Sequence, residues 1–86
     1  MSCHLPVEEI RRLAAAGKIG AIVVAEQVID THAAGFADRF ERSVALDALL
    51  RDLARLRRRE PHLDEFITEV EGYIDGLHRD LDRLAA

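Results

Sequence analysis

Seven aliphatic side chains recur every three or four residues through the C-terminal part of this 86-residue chain. They are Leu63, Ile67, Val70, Ile74, Leu77, Leu81 and Leu84. Alternating spacings of four and three form a heptad repeat, whose a and d positions make one continuous face of an α-helix. Phe66 and Tyr73 fall at the adjacent g position and widen this face, as in helices of a bundle. The repeat predicts a helix over about residues 61–85, with Pro61 in its first turn.

Three more segments show helical spacing of apolar residues. Pro6 and Gly17 are typical of the start and the end of a helix, which predicts a first helix over about residues 6–16. A second helix over about 20–42 and a third over about 43–59, with Ser43 as its N-cap, follow from two further apolar faces. The second face carries Ile22, Ala25, Ile29, Ala33, Phe36 and Phe40, and the third carries Leu46, Leu49, Leu50, Leu53 and Leu56.

The second and third faces do not share a phase. Phe40 and Leu46 are six residues apart, which turns a helix by roughly 600° and places them on different sides. The chain therefore either breaks near residues 41–44 or at Gly35, or continues as one helix that turns a new face to a second partner.

The sequence predicts one all-α domain over residues 1–86, a small antiparallel bundle of three to four helices behind a flexible tail of residues 1–5. No linker or repeat divides the chain, and no segment alternates as a strand does. The chain has few large apolar side chains to fill a core of its own, with three Phe, one Tyr and no Trp. Domains of this size also bury little apolar surface. We therefore expect oligomerisation, as a dimer, to complete the bundle.

The charge balance argues against nucleic acid as a partner. Twelve Lys and Arg against sixteen Asp and Glu give a net charge of −4, whereas nucleic-acid affinity comes mainly from basic side chains. The exception is a cluster of five arginines, Arg51, Arg55, Arg57, Arg58 and Arg59. Residues 61–86 then carry seven acidic and two basic side chains. We predict that Arg55 or Arg58 pairs with an acid of the last helix. The candidate acids are Glu65 and Glu69.

A membrane partner is not expected either. No apolar run approaches the roughly 18 residues that span a bilayer, and the N-terminal residues lack the basic-then-apolar pattern of a signal peptide. A single Cys cannot close an intrachain disulfide or build a Cys-rich zinc site. We expect a cytoplasmic protein.

A metal-binding alternative rests on acidic and imidazole side chains. Asp75 and His78 lie three residues apart on the last helix, as in carboxylate-bridged metal centres. The full set, assembled across a dimer interface around iron, manganese or zinc, is Glu26, Asp30, Glu71, Asp75 and His78. The heptad places Glu71 and His78 at the edge of the apolar face and Asp75 toward solvent. This placement favours an ion-paired surface. Cys3 and His4 have metal-binding and nucleophilic chemistry, although a free thiol on a terminal tail is the simpler interpretation.

The N-terminal segment Leu5–Leu13, LPVEEIRRL, is followed by Ala-Ala-Ala-Gly-Lys-Ile-Gly over residues 14–20. This stretch resembles a segment in the selenoprotein B subunits of the glycine, sarcosine and betaine reductase family. The family continues with aromatic residues where this chain has Ala21-Ile22-Val23-Val24. Cys3 precedes the matching segment, so no redox-active cysteine or selenocysteine of the family maps onto it. The resemblance implies shared ancestry or association with such a system, and no transferred activity.

An enzyme needs convergent polar groups in a pocket on a rigid frame. The sequence offers no Gly-rich phosphate loop and no inward-pointing acidic or histidine cluster, so we predict neither a catalytic site nor a cofactor. We predict a self-associating helical interaction module, a small accessory or adaptor subunit that binds itself and a larger protein partner. Its predicted interface is Leu63, Phe66, Ile67, Val70, Tyr73, Ile74, Leu77 and Leu81. The alternative function is a metal-binding or oxidoreductase-type helical bundle.

Overall fold

A computed structural model describes the backbone of residues 5–85 and the side chains of residues 5–83. Its four α-helices are α1, Pro6–Ala16; α2, Ala21–Ala34; α3, Arg39–Arg59; and α4, Asp64–Ala85. A short 3-10 helix, Pro61–Leu63, leads into α4. Residues 5–85 contain no strand, so the all-α prediction is confirmed. The predicted tail at residues 1–4, with Cys3 and His4, lies outside the described residues.

Two glycines shape the turn between α1 and α2. Gly17 ends α1 at φ 61°, in the left-handed region that glycine adopts without strain. Gly20 precedes α2 at φ 84°. The chain therefore reverses over residues 17–20. Helix α1 has the bounds that Pro6 and Gly17 predicted.

The break between α2 and α3 lies at residues 35–38, which corrects the predicted boundary at 42–43. Gly35, the other break considered, directly follows α2. Asp38 rather than Ser43 caps α3, because its carboxylate accepts a hydrogen bond of 3.2 Å from the Glu41 amide. Such a cap satisfies one of the N–H groups that the first turn of a helix leaves free.

The loop before α3 is held from within that helix. Arg42 donates from Nε to the carbonyl oxygen of Phe36 at 2.6 Å. Phe40, which the sequence placed on the apolar face of the second helix, lies instead in the first turn of α3 and is 74% exposed. The apolar face of α2 therefore ends before the loop.

The helices enclose one apolar core. Helix α1 packs on α2 and α3, and α4 packs on α3 and α2. The buried residues of this core are Val7, Ile10, Ala25, Ile29, Leu46, Leu49, Leu53, Leu56, Leu63, Ile67, Val70 and Ile74. Among residues 5–83, no buried side chain is polar or charged. Within residues 5–85, no helix has both the length and the apolar character needed to cross a bilayer.

The heptad face of α4 lies inside this core. Its a and d positions up to Ile74 are buried, and the other predicted interface residues are half-buried against the core. These half-buried residues are Phe66, Tyr73, Leu77 and Leu81. Helices α2 and α3 of the same chain cover this face. A second chain would reach it only by displacing one of them.

Candidate functional site

Arg57 joins the end of α3 to the first turns of α4. Its Nε donates to Asp64 Oδ1 at 2.6 Å. Its Nη2 and Nη1 donate to the two carboxylate oxygens of Glu71 at 2.6 and 3.1 Å, and Nη2 also donates to Thr68 Oγ1 at 3.1 Å. These hydrogen bonds, those of Glu71 first, raise the pKa of the Arg57 guanidinium. The arginine cluster therefore pairs with α4 through Arg57, which binds two acids of that helix, Asp64 and Glu71.

The specific pairs predicted for this cluster are not formed. Arg55 Nη1 donates to Asp52 Oδ1 at 3.2 Å within α3. No ion pair within residues 5–83 joins Arg55 or Arg58 to Glu65 or Glu69. All four of these side chains are exposed. The charge pattern thus identified the two helices that pair, but not the residues.

We expect Arg57→Gln to lower the melting temperature by a few degrees more than Arg58→Gln does. The first change leaves the Glu71 and Asp64 carboxylates without their shared partner, whereas Arg58 is an exposed neighbour. Thermal unfolding followed by circular dichroism measures the difference. It should shrink at high salt, which screens the pairs. Equal melting temperatures of the two variants at low salt would contradict the role of Arg57.

His78 of α4 lies between two polar side chains of α3. Its Nδ1 is 3.5 Å from Ser43 Oγ, and its Nε2 is 3.1 Å from Asp47 Oδ1. The buried Nε2 has no aligned hydrogen-bond partner, so the second contact is close without being a hydrogen bond. Serine, imidazole and carboxylate are the groups of a hydrolase triad.

Acyl transfer also requires free donors for an oxyanion. The Arg42 amide already bonds the Asp38 carbonyl oxygen. The amide of Ser43 therefore lies beyond the first turn of α3, where N–H groups bond within the helix. The His78 contacts link α3 to α4, as the hydrogen bonds of Arg57 do. Because Ser43 meets His78 while Arg57 meets Asp64, the two helices are antiparallel.

Tyr73 links α4 to α2. Its hydroxyl donates to Asp30 Oδ1 at 2.6 Å. That hydrogen bond, followed by burial and by the negative charges of Asp30 and Glu26, raises the pKa of Tyr73 to about 12. The neutral hydroxyl is therefore held in place as a donor between the two helices.

The residues of the metal-binding alternative are not assembled within the chain. Among residues 5–85, no three His, Cys, Asp or Glu side chains lie close enough together to hold a metal ion. Asp30 accepts the hydrogen bond from Tyr73, and Glu71 binds Arg57. His78 packs against α3, and Asp75 is exposed. Glu26, half-buried on α2, lies near enough to Tyr73 to raise the tyrosine pKa.

The surface of α2 carries an apolar patch that the sequence analysis did not single out. Ala21 and Ala25 face the core, while Val23 is 52% and Val24 44% exposed. Ile19, in the preceding turn, is fully exposed. The first half of α2 is therefore apolar on both its inner and outer sides, whereas a surface helix normally carries apolar residues on one side only.

A shallow groove runs between α1 and α2 beside this patch. Val24 and Val28 of α2 and Leu13 of α1 supply its apolar walls, and Glu9 and Arg12 of α1 line it with charge. These five residues define the α1–α2 groove. Val24 is its most exposed large apolar side chain.

Comparisons with protein families, curated proteins and solved structures find no match to this chain. The resemblance of residues 5–20 to the selenoprotein B family therefore stays a prediction from the sequence. In the structure those residues form Leu5, α1 and the turn that precedes α2.

Proposed function

We propose that this chain is a small helical interaction module that self-associates as a dimer and serves as an accessory or adaptor subunit without its own catalytic site. The exposed valines of α2 carry the proposal. Val23 and Val24 stand side by side at a helix surface, half exposed, next to a fully exposed Ile19. Removing such apolar area from water lowers the free energy by about 25 cal/mol per Å².

The proposed interface is not the one that the heptad predicted. The heptad face of α4 already packs against α2 and α3 of the same chain. The outer side of α2 is less covered, since Val23 and Val24 stay 52% and 44% exposed. We therefore assign self-association to the α1–α2 groove and the valines beside it.

An adaptor also needs a surface for its larger protein partner. Phe40 and Val44, one turn apart on α3, are 74% and 48% exposed. Residues four apart lie on the same side of a helix, so the two side chains form one apolar spot. We assign the contact with the larger partner to this spot, which belongs to a different helix from the proposed dimer interface.

We expect Val24→Glu to convert a wild-type dimer into a monomer, because burying an unpaired carboxylate in an apolar contact is strongly unfavourable. The dissociation constant should rise by about 100-fold or more, since each 1.4 kcal/mol is about tenfold. Sedimentation velocity over a range of protein concentrations measures the change. Circular dichroism shows that the variant keeps its helices.

Val44→Glu is the matched control. It makes the same substitution at a valine of similar exposure on α3, outside the proposed dimer interface. The control should remain a dimer. A wild-type chain that stays monomeric at every concentration, or a dimer that both variants weaken equally, would refute the proposal.

A further inference from the structure

Resting on the proposed function, we infer that the α1–α2 groove binds the same groove of a second copy across a two-fold axis. In this arrangement Glu9 of each chain faces the partner subunit's Arg12. The occupant of the groove is therefore a second copy of this chain. The charges of Glu9 and Arg12, which line the groove, point to this arrangement.

Helix α1 carries two glutamate–arginine pairs with the same spacing of three residues. On one side of the helix, Arg11 Nε and Glu8 Oε2 form an ion pair of 3.1 Å. On the adjacent side, Glu9 and Arg12 line the groove, and neither takes part in an ion pair among residues 5–83. Within that part of the chain, the charges of Glu9 and Arg12 therefore have no ion-pair partner.

The groove is complementary to itself under two-fold symmetry. An isologous contact uses the same patch on both subunits, so each residue pair across it occurs twice. Residues 9 and 12 are separated by about 4.5 Å along the helix axis, at 1.5 Å per residue. A two-fold axis that passes midway between them runs the two α1 helices antiparallel. It sets each glutamate opposite an arginine and brings the valine walls of both chains together.

The two symmetric ion pairs would set the orientation of the dimer. Charged groups at the edge of an interface add little to affinity, but like charges placed opposite each other oppose binding strongly. The apolar walls supply the attraction, and Glu9 and Arg12 select the antiparallel arrangement over others. A different protein would need its own matching acid, base and apolar side chains, whereas a second copy already has them.

Charge reversal tests this arrangement. Glu9→Arg and Arg12→Glu each place like charges across the two-fold axis and should raise the dissociation constant by about tenfold or more. The double variant with both changes restores opposite charges and should return to within a few-fold of wild type. Sedimentation velocity measures all three, with circular dichroism to verify the helices.

Mixing the two single variants gives the sharpest readout. One copy then carries two arginines and the other two glutamates at these positions. The mixture should therefore form a heterodimer at a concentration where each variant alone is largely monomeric. The swap of Glu8 and Arg11 is the control, because it makes the same exchange at two residues of α1 that do not line the groove. It should leave the dimer unchanged.

The outcomes separate this inference from the proposed function. A wild-type monomer refutes both. A wild-type dimer that Val24→Glu dissociates, but that the single charge reversals leave intact, keeps the proposed function and overturns the two-fold arrangement. Single variants that dissociate without rescue by the double variant or by mixing overturn it as well.

Discussion

Ile74→Ala is expected to lower the free energy of unfolding by about 2–5 kcal/mol. Ile74 is fully buried on α4 and belongs to the core that α2, α3 and α4 share. Truncating it removes buried methyl and methylene groups and leaves a cavity that close-packed neighbours fill only in part. A small domain has a total stability of about 5–15 kcal/mol, so this is a large share of it.

Urea unfolding followed by circular dichroism, repeated over a range of protein concentrations, measures the loss. The partners of Ile74 come from its own chain, so the loss should be the same at every concentration. Val44→Ala is the control; it truncates a half-exposed side chain and should change stability by less than about 0.5 kcal/mol. A loss at Ile74 that appears only where the chain associates would place its partner in a second chain.

The heptad repeat predicted buried residues of the 3-10 helix and α4, but not what covers them. Leu63, Ile67, Val70 and Ile74 are buried as their spacing indicated. A periodic apolar face shows only that something apolar must lie against it. Whether the partner is another helix of the chain or a second chain depends on the lengths and positions of the connections. The small number of aromatic residues favoured a second chain. Within this chain, leucines of α3 belong to the same core as the heptad face.

The predicted boundary between α2 and α3 was wrong because an apolar residue after the true boundary fits the spacing of α2. Phe40 continues the spacing of Phe36 and Ala33, but it is exposed in the first turn of α3. A local signal for the true boundary is present. Asp38 followed by Glu41 has the spacing of a residue that caps a helix and an acid three positions later.

The charge of the arginine cluster predicted which two helices pair, but not which residues form the pairs. The opposite charges of two consecutive helices indicate that the helices pair, and Arg57 does contact acids of α4. The register depends on helical phase. Arg57 follows the buried Leu56, and Glu71 follows the buried Val70, so both lie at the edge of the contact. One residue along a helix turns a side chain by about 100°, which takes Arg58 away from that edge.

The exposed valines of α2 could have been predicted from the sequence. Residues 21–25 contain no polar side chain, although a helix that is buried on one side only should show one. The apolar face predicted for α2 includes Ile22, Ala25 and Ile29. It accounts for the core but leaves out Val23 and Val24. The surplus of apolar residues over what one buried face needs is the sequence signature of the proposed interface.

Tyr73 is expected to ionise at about pH 12 rather than near the ordinary tyrosine value of about 10. Its hydroxyl donates to Asp30 at 2.6 Å, and a tyrosinate there would lose that bond and face a carboxylate. The chain has one tyrosine and no tryptophan, so the tyrosinate absorbance reports this residue alone. At about pH 11, an ordinary tyrosine is about 90% ionised, whereas Tyr73 should be about 10% ionised.

Two variants test the physical cause of the shift. Asp30→Asn removes the charged acceptor and should return the midpoint most of the way toward the ordinary value. Glu26→Gln removes only the smallest contribution and should move the midpoint less. Circular dichroism on the same samples shows whether the helices persist, because an unfolded chain exposes its tyrosine to water.

The same bond makes stability depend on pH in one direction. A raised pKa means that the folded chain holds the Tyr73 proton more tightly than the unfolded chain does. The stabilisation is therefore fully present below about pH 10 and is lost as the pH rises through about 12. Urea unfolding of the wild type should show stability falling across this range more steeply than in Asp30→Asn. A wild-type tyrosine that ionises at its ordinary pH while the helices remain folded would show that the Asp30 contact is absent in solution.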